Sequence, residues 1–175
     1  TLCNVLNVNL IQGKKISYLD NFLKNKKYII KLIDYYYKVW PRKKNTPSHG
    51  DLTLDNLIFD KNQIYLIDWE NFNKKKDAWG FDLVYFFLSV IFLPNLKKKK
   101  LPKKDLKEIS KIWKKIKKLL KNEKIKNNPI KYFLNKFKKD LHWKKLSKKF
   151  PNKFFLNKVD PGLLKDVEKV LKTIS

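Results

Sequence analysis

The sequence predicts an α+β domain that is mostly helical and carries one small β-hairpin. Three observations predict it. Apolar residues recur at helical spacing before residue 40 and again beyond residue 97. Asn56-Leu57-Ile58-Phe59 and Ile64-Tyr65-Leu66-Ile67 flank the turn-forming Asp60-Lys61-Asn62-Gln63, which is the pattern of a hairpin. Leu83 to Leu93 is an apolar run broken only by Ser89, as in a helix buried on all sides.

Taken in order, Thr1 to Gln12 suits either a strand or an irregular lead-in. Lys14 to Trp40 reads as helix, with Leu19, Phe22, Leu23, Ile29, Ile30, Leu32, Ile33 and Tyr36 or Tyr37 as its apolar face. Pro41 ends it, and 42–47 reads as a basic loop. The hairpin follows, then a polar loop over 71–77. Gly80-Phe81-Asp82 opens the buried helix and Pro94 closes it. Lys97 to Lys100 reads as a solvated linker. Leu106, Ile109, Ile112, Trp113, Ile116, Leu119 and Leu120 stripe one further helix, and Ile130, Phe133, Leu134, Phe137 and Leu141 another. Asp160 as N-cap and Pro161 at the first position start a last helix, striped by Leu163, Leu164, Val167, Val170, Leu171 and Ile174. No internal repeat is present.

Composition bounds the function. The 175 residues suffice for one domain, and 43% hydrophobic with 14% aromatic residues exclude a disordered chain. Cys3 is the only cysteine, which rules out an intrachain disulfide or a cysteine metal cluster and suits a cytoplasmic location. The apolar run is too short to span a bilayer. A net charge of +26 points to nucleic acid or an anionic surface. However, Arg42 is the only arginine and Ala78 the only alanine, while Lys, Asn and Ile abound. Arginine is the residue that base readout and phosphate forks favour. The usage matches an AT-rich genome, so polyanion binding is expected to be non-specific and confined to low salt.

The segment with most chemistry runs from Ser48-His49-Gly50-Asp51 through Asn56 to Ile67-Asp68-Trp69-Glu70. Asp51 can orient or deprotonate a hydroxyl. Asn56 and Asp68 lie at the two ends of the hairpin, where antiparallel pairing brings two oxygen donors together as a magnesium site requires. Taken singly, Asp51 or Asp55 could equally cap a turn. The joint pattern resembles the aminoglycoside phosphotransferase and choline/ethanolamine kinase superfamily, which has a protein-kinase-like fold. The residues that carry it are His49-Gly50-Asp51, four residues, Asn56, then Ile67-Asp68 and an aromatic. Asp68-Trp69-Glu70 and Gly80-Phe81-Asp82-Leu83 fit the choline/ethanolamine branch, and the match is specific from about Ser48 to Phe87.

This resemblance implies a kinase-like C-terminal lobe over 1–175, with a motif core at 48–87 and a helical substrate-side subdomain at 97–175. It implies ATP as co-substrate and Mg2+ as cofactor, Asp51 as catalytic base, and Asn56 and Asp68 as metal ligands. His49, Gly50 and Asp82 become supports of the catalytic loop. Trp69 and Glu70 become substrate or loop contacts, Glu70 equally fitting an ion pair with nearby lysines. The acceptor is a small-molecule hydroxyl: choline or ethanolamine from Asp68-Trp69-Glu70, or a sugar, because Leu83-Val84-Tyr85-Phe86-Phe87 lacks the polar residues of a choline site. An aminoglycoside is less suited, since the C-terminal half offers few carboxylates to it. No Gly-rich loop or strand lysine precedes the motif, so a truncated form missing its N-terminal lobe is expected.

The rival readings are an inactive lysine-rich module binding nucleic acid or anionic lipid, and a nonfunctional gene fragment. The lysine helices also admit a membrane-surface role, against the simpler reading that their apolar faces pack inward. Trp113, Tyr132 and Trp143 could line a pocket for a quaternary amine, against the simpler reading of core aromatics.

Overall fold

The computed structural model describes residues 13–15, 22–42, 46–60, 63–76, 78–96, 103–123 and 129–139, with Lys145, Lys148, Lys149 and Lys169 singly. The lead-in at Thr1 to Gln12, the lysine linker, Trp143 and the helix expected after Asp160 lie outside the described residues. The elements are β1 (Lys14–Lys15), α1 (Phe22–Val39), β2 (Thr46–Ser48), β3 (Leu57–Asp60), β4 (Gln63–Leu66), β5 (Asn73–Lys76), α2 (Phe81–Leu96), α3 (Lys103–Asn122) and α4 (Pro129–Lys139). Short 3-10 turns at Leu54–Asn56 and Trp69–Asn71 flank the hairpin. The chain is thus α+β and mostly helical.

α2 is the axis of the core. Every residue from Phe81 to Val90 is buried, so this stretch of the helix has no solvent face and the other elements pack around it. α1 presents Ile29, Leu32, Ile33 and Tyr36, spaced as one helical stripe. α3 presents Ile109, Ile112, Trp113, Ile116 and Leu120, and α4 presents Ile130, Phe133 and Leu134. Trp113 stacks on Phe87 with ring centroids 4.6 Å apart, and Phe133 meets Phe81 edge-on at 6.3 Å. The apolar face of α3 is therefore taken up by the core and not offered to a membrane. Trp113 likewise belongs to the core. Among the described residues, no helix is long and apolar enough to cross a membrane.

The strands depart from expectation. β3 and β4 pair from Leu57↔Leu66 to Asp60↔Gln63, which leaves a two-residue connection where a four-residue turn was expected. Lys14 and Lys15, expected in the first helix, instead pair antiparallel with Phe59 and Ile58, so the hairpin is the outer part of a three-stranded sheet ordered β1-β3-β4. The loops expected around residue 46 and residue 74 pair as a second sheet, β2 with β5, through Thr46↔Lys76 and Ser48↔Asn73 with a bulge between. These short polar strands carry no alternating apolar signal; β1 is selected by the free edge of β3, and β2 and β5 by each other. α2 also continues through Pro94 to Leu96. A proline that close to a C-terminus forfeits a single backbone hydrogen bond, so it weakens the last turn without stopping the helix.

α1 and α3 are joined by a ladder of opposite charges. Lys26 bonds Glu108, Asp34 meets Lys115 at 2.6 Å, and Arg42, just past α1, meets Glu123, just past α3, at 2.9 Å. The pairs ascend in step along both segments, roughly two turns apart, so α1 and α3 run parallel. Surface pairs of this kind each contribute ~0–1 kcal/mol, so their main effect is to fix which turn of α1 faces which turn of α3.

Glu108 carries a second partner, Lys111 at 2.7 Å. Bonds from Lys111 and Lys26 lower its pKa from 4.5 to about 2. The folded value lies below the unfolded one, so this contribution to stability is complete above pH 4.5 and is lost as pH falls towards 2. Denaturant titrations of Glu108→Gln from pH 6 to pH 2.5 are expected to show a shallower acid loss of stability than the parent protein. Equal slopes would contradict the pairing.

Candidate active site

The loop 49–51 is gripped from beneath by α2. Asp82, in the first turn of α2, is fully buried, and its carboxylate accepts the backbone N–H of His49 at 2.9 Å and of Gly50 at 3.0 Å. A buried carboxylate is tolerable only with such partners, and hydrogen bonds to a charged group are roughly twice as strong as neutral ones. The helix N-terminus adds a favourable field for its charge. Gly50 is held at φ +86°, and a Cβ there would stand 2.2 Å from the carbonyl oxygen of Asn71. Both the dihedral and the space require glycine.

His49 is buried beneath the hairpin exit. Its Nδ1 accepts the Asp51 backbone N–H at 3.4 Å, so Nε2 is the protonated nitrogen and donates to the Ile67 carbonyl at 3.0 Å. Burial lowers its pKa below 6.5, against the raising effects of the Ile67 carbonyl and the Asp68 charge. The neutral ring thus ties the loop to the strand that ends in Asp68. A second tie is the β2–β5 ladder, which sets Ser48 opposite Asn73.

Asp51 is half-buried at the top of this loop. Its Oδ1 accepts the Tyr85 hydroxyl at 2.9 Å, and its Oδ2 lies 3.3 Å from Asn56 Nδ2. The same Nδ2 donates to the Asp51 carbonyl at 2.8 Å. Asn56 is buried, and with its amide nitrogen engaged, Oδ1 is the atom left as a donor to a cation. Ile67 N–H bonds the Asn56 carbonyl at 3.1 Å, which extends the hairpin ladder by one residue and brings the backbones of Asn56 and Asp68 to the same open end. Asp68 is exposed, stands at φ 62° and ψ 66°, and makes no capping bond to the turn it precedes. A left-handed aspartate is uncommon and concentrates at functional sites.

An aromatic column backs the loop. Trp40 stacks on Tyr36 at 4.7 Å and on Trp69 at 6.3 Å, and Trp69 packs on His49 at 4.5 Å. The indole nitrogens of Trp40 and Trp69 bond the carbonyls of Pro47 and Leu66 at 2.8 and 2.9 Å. Trp69 and Phe72 remain exposed beside Asp68 and meet edge-on at 5.7 Å. Glu70 is exposed in the same turn.

Hydrogen bonds thus link His49, Gly50, Asp51, Asn56 and Asp82 into one cluster, with Asp68 exposed at the exit of the hairpin that Asn56 enters. Tyr85 and Trp40 were not anticipated. Tyr85 lies three residues after Asp82 in an apolar helix, a spacing that sets both side chains on one face. No three His, Cys, Asp or Glu side chains gather as a metal site among the described residues. The donor chemistry nevertheless suits magnesium, which takes one or two protein carboxylates or carbonyls and completes its shell with water and phosphate oxygens.

A profile of the phosphotransferase enzyme family matches residues 10–75. That span includes α1, the hairpin, Asp51, Asn56 and Asp68, stops short of Asp82, and covers less than half of the chain. It is consistent with the aminoglycoside phosphotransferase superfamily. No curated protein and no solved structure matches the chain.

Two outcomes follow from the geometry. Asp82→Ala strands two buried N–H groups at ~1–3 kcal/mol each, so thermal or denaturant unfolding should show a loss of ~2–6 kcal/mol; a loss below ~1 kcal/mol would contradict the grip. The His49 imidazole should titrate below pH 6.5 by NMR, because folding disfavours its charged form. Stability attributable to it is then complete above pH 6.5 and falls as pH drops towards the folded value. A midpoint at or above 6.5 would contradict the neutral, Nε2-protonated ring.

Proposed function

We propose that the chain transfers a phosphoryl group from ATP to the hydroxyl of a small molecule, with Asp51 as the residue that orients or deprotonates the acceptor. The observation that carries the reading is the Asp51 carboxylate. It is presented on a loop fixed by Asp82 and His49, next to the open end of a hairpin whose termini are Asn56 and Asp68. The family match over residues 10–75 supports the reaction class. Asn56 Oδ1 and the Asp68 carboxylate would hold Mg2+, which when bound neutralises phosphate charge.

In this reading residues 48–87 form the metal and acceptor side of a protein-kinase-like C-terminal lobe, and the helices beyond 97 flank the acceptor. Asp51 accepts a hydrogen bond from the acceptor hydroxyl and takes its proton as the oxygen attacks. Asp82 and His49 act through the backbone and exchange no proton with substrate. The acceptor is choline, ethanolamine or a sugar-like alcohol. The exposed Trp69, Phe72 and Glu70 favour a small amino alcohol, because an aromatic face and a carboxylate both attract a cation.

The lysine face of α3 favours a second reading, an inactive module for nucleic acid or anionic lipid. Lys107, Lys114, Lys117, Lys118 and Lys121 are exposed along one helix. Binding of that kind weakens steeply with salt and ignores Asp51 and Asp68.

Calorimetric titration with Mg·ATP separates the two. Binding should be present in the parent protein and lost in Asp68→Asn. With an alcohol acceptor that is turned over, Asp51→Asn should lower kcat at least ~100-fold, the usual scale of lost general-base catalysis. Turnover that survives both substitutions would refute the reading. Salt-sensitive polyanion binding without Mg·ATP binding would favour the second.

A further inference from the structure

We infer that Tyr85 is a positioning residue for Asp51: its hydroxyl, bonded to Oδ1, locks the carboxylate in one rotamer. The inference rests on the phosphotransfer reading only for the consequence of the lock, not for the lock itself.

Between Phe81 and Val90, α2 carries three polar side chains in an otherwise apolar stretch that can be identified with hydrogen-bonding groups: Asp82, Tyr85 and Ser89. Ser89 bonds back to the Phe86 carbonyl at 2.7 Å within its own helix. Asp82 and Tyr85, three residues apart and so on one face, both reach the 49–51 loop. Asp82 holds the backbone of His49 and Gly50, and Tyr85 holds the side chain of the next residue. One helix face therefore sets three consecutive residues.

The distances rank Tyr85 and Asn56 as donors to the Asp51 carboxylate. The Tyr85 bond, at 2.9 Å, is within the ordinary range for a hydroxyl donor, whereas Asn56 Nδ2 stands 3.3 Å from Oδ2, longer than a usual N–H···O bond. Asn56 is better placed on the Asp51 carbonyl, at 2.8 Å. Tyr85 thus orients the carboxylate, while Asn56 orients the backbone beneath it. The tyrosine ring is itself held: it is 1% exposed and embedded in the central helix. A phenol on a rigid, buried ring fixes its hydroxyl by two torsions, so little freedom passes to the carboxylate. A bland alternative is that the buried hydroxyl simply takes the nearest acceptor for its own satisfaction. That role would show in stability, but not in the conformation or reactivity of Asp51.

The test compares the parent protein with Tyr85→Phe, which keeps the ring and removes the hydroxyl. Three-bond couplings to the Asp51 β-protons report its χ1 without any ligand. A single staggered rotamer is expected in the parent protein and averaging over at least two in Tyr85→Phe. In parallel, steady-state hydrolysis of Mg·ATP, with water as acceptor, should lose at least tenfold in kcat with KM for Mg·ATP unchanged within twofold. Should Tyr85→Phe prove unfolded by circular dichroism, Tyr85→Leu, which also removes the hydroxyl, replaces it; averaging of Asp51 is expected there too, and a single rotamer overturns the inference. An Asp51 side chain that stays in one rotamer in folded Tyr85→Phe overturns the inference. So does averaging in the parent protein. A lock that is lost in Tyr85→Phe, in a parent protein that neither binds nor hydrolyses Mg·ATP, supports the inference and removes the phosphotransfer reading instead.

Discussion

The arrangement depends on one buried carboxylate. Asp82 sits in the first turn of a helix that is buried on every side from Phe81 to Val90, and an ionised group there is costly unless its oxygens are filled. They are filled by the N–H groups of His49 and Gly50. This makes the loop conformation and the helix mutually dependent. The loop cannot leave without taking two hydrogen bonds from a buried charge, and the charge cannot be removed without stranding two donors. Gly50 is the residue that makes such an approach feasible, since any side chain would meet the Asn71 carbonyl.

Around this grip the remaining elements act as spacers. The β2–β5 ladder aligns the strand that enters the loop with the strand that follows Asp68. The Tyr36–Trp40–Trp69–His49 column carries the position of α1 to the same place. α1 is in turn registered on α3 by paired charges at Lys26–Glu108, Asp34–Lys115 and Arg42–Glu123. Each link is weak alone, but packed elements that share a core shift together or not at all. The site thus inherits its geometry from helices that contribute no chemistry to it.

What was legible in the sequence follows from what periodicity encodes. The stripes Ile29-Leu32-Ile33-Tyr36 and Ile109-Ile112-Trp113-Ile116-Leu120 give the buried faces directly, and the hairpin shows in two short apolar runs on either side of turn-forming residues. Periodicity says which face is buried, not against what, so the parallel pairing of α1 with α3 was not readable. Lys14-Lys15, Thr46-Pro47-Ser48 and Asn73 to Lys76 have no pattern of their own, and tertiary pairing makes them strands. At the site, Asp51, Asn56 and Asp68 stood out because His49-Gly50-Asp51, Asn56 and Ile67-Asp68 together resemble the phosphotransferase pattern; taken singly, each suits an ordinary turn. Tyr85 was hidden by its neighbours: inside an apolar run, a tyrosine reads as bulk until its hydroxyl is seen to meet Asp51.

The central claim is that the His49 and Gly50 amides belong, energetically, to α2 and not to a surface loop. Native-state hydrogen exchange resolved at single amides tests it most directly. The account predicts that these two amides open only with the helix, with the same free energy as Val84 and its neighbours at the core of α2. Exchange at the rate of exposed loop amides, while the α2 amides stay protected, would contradict it.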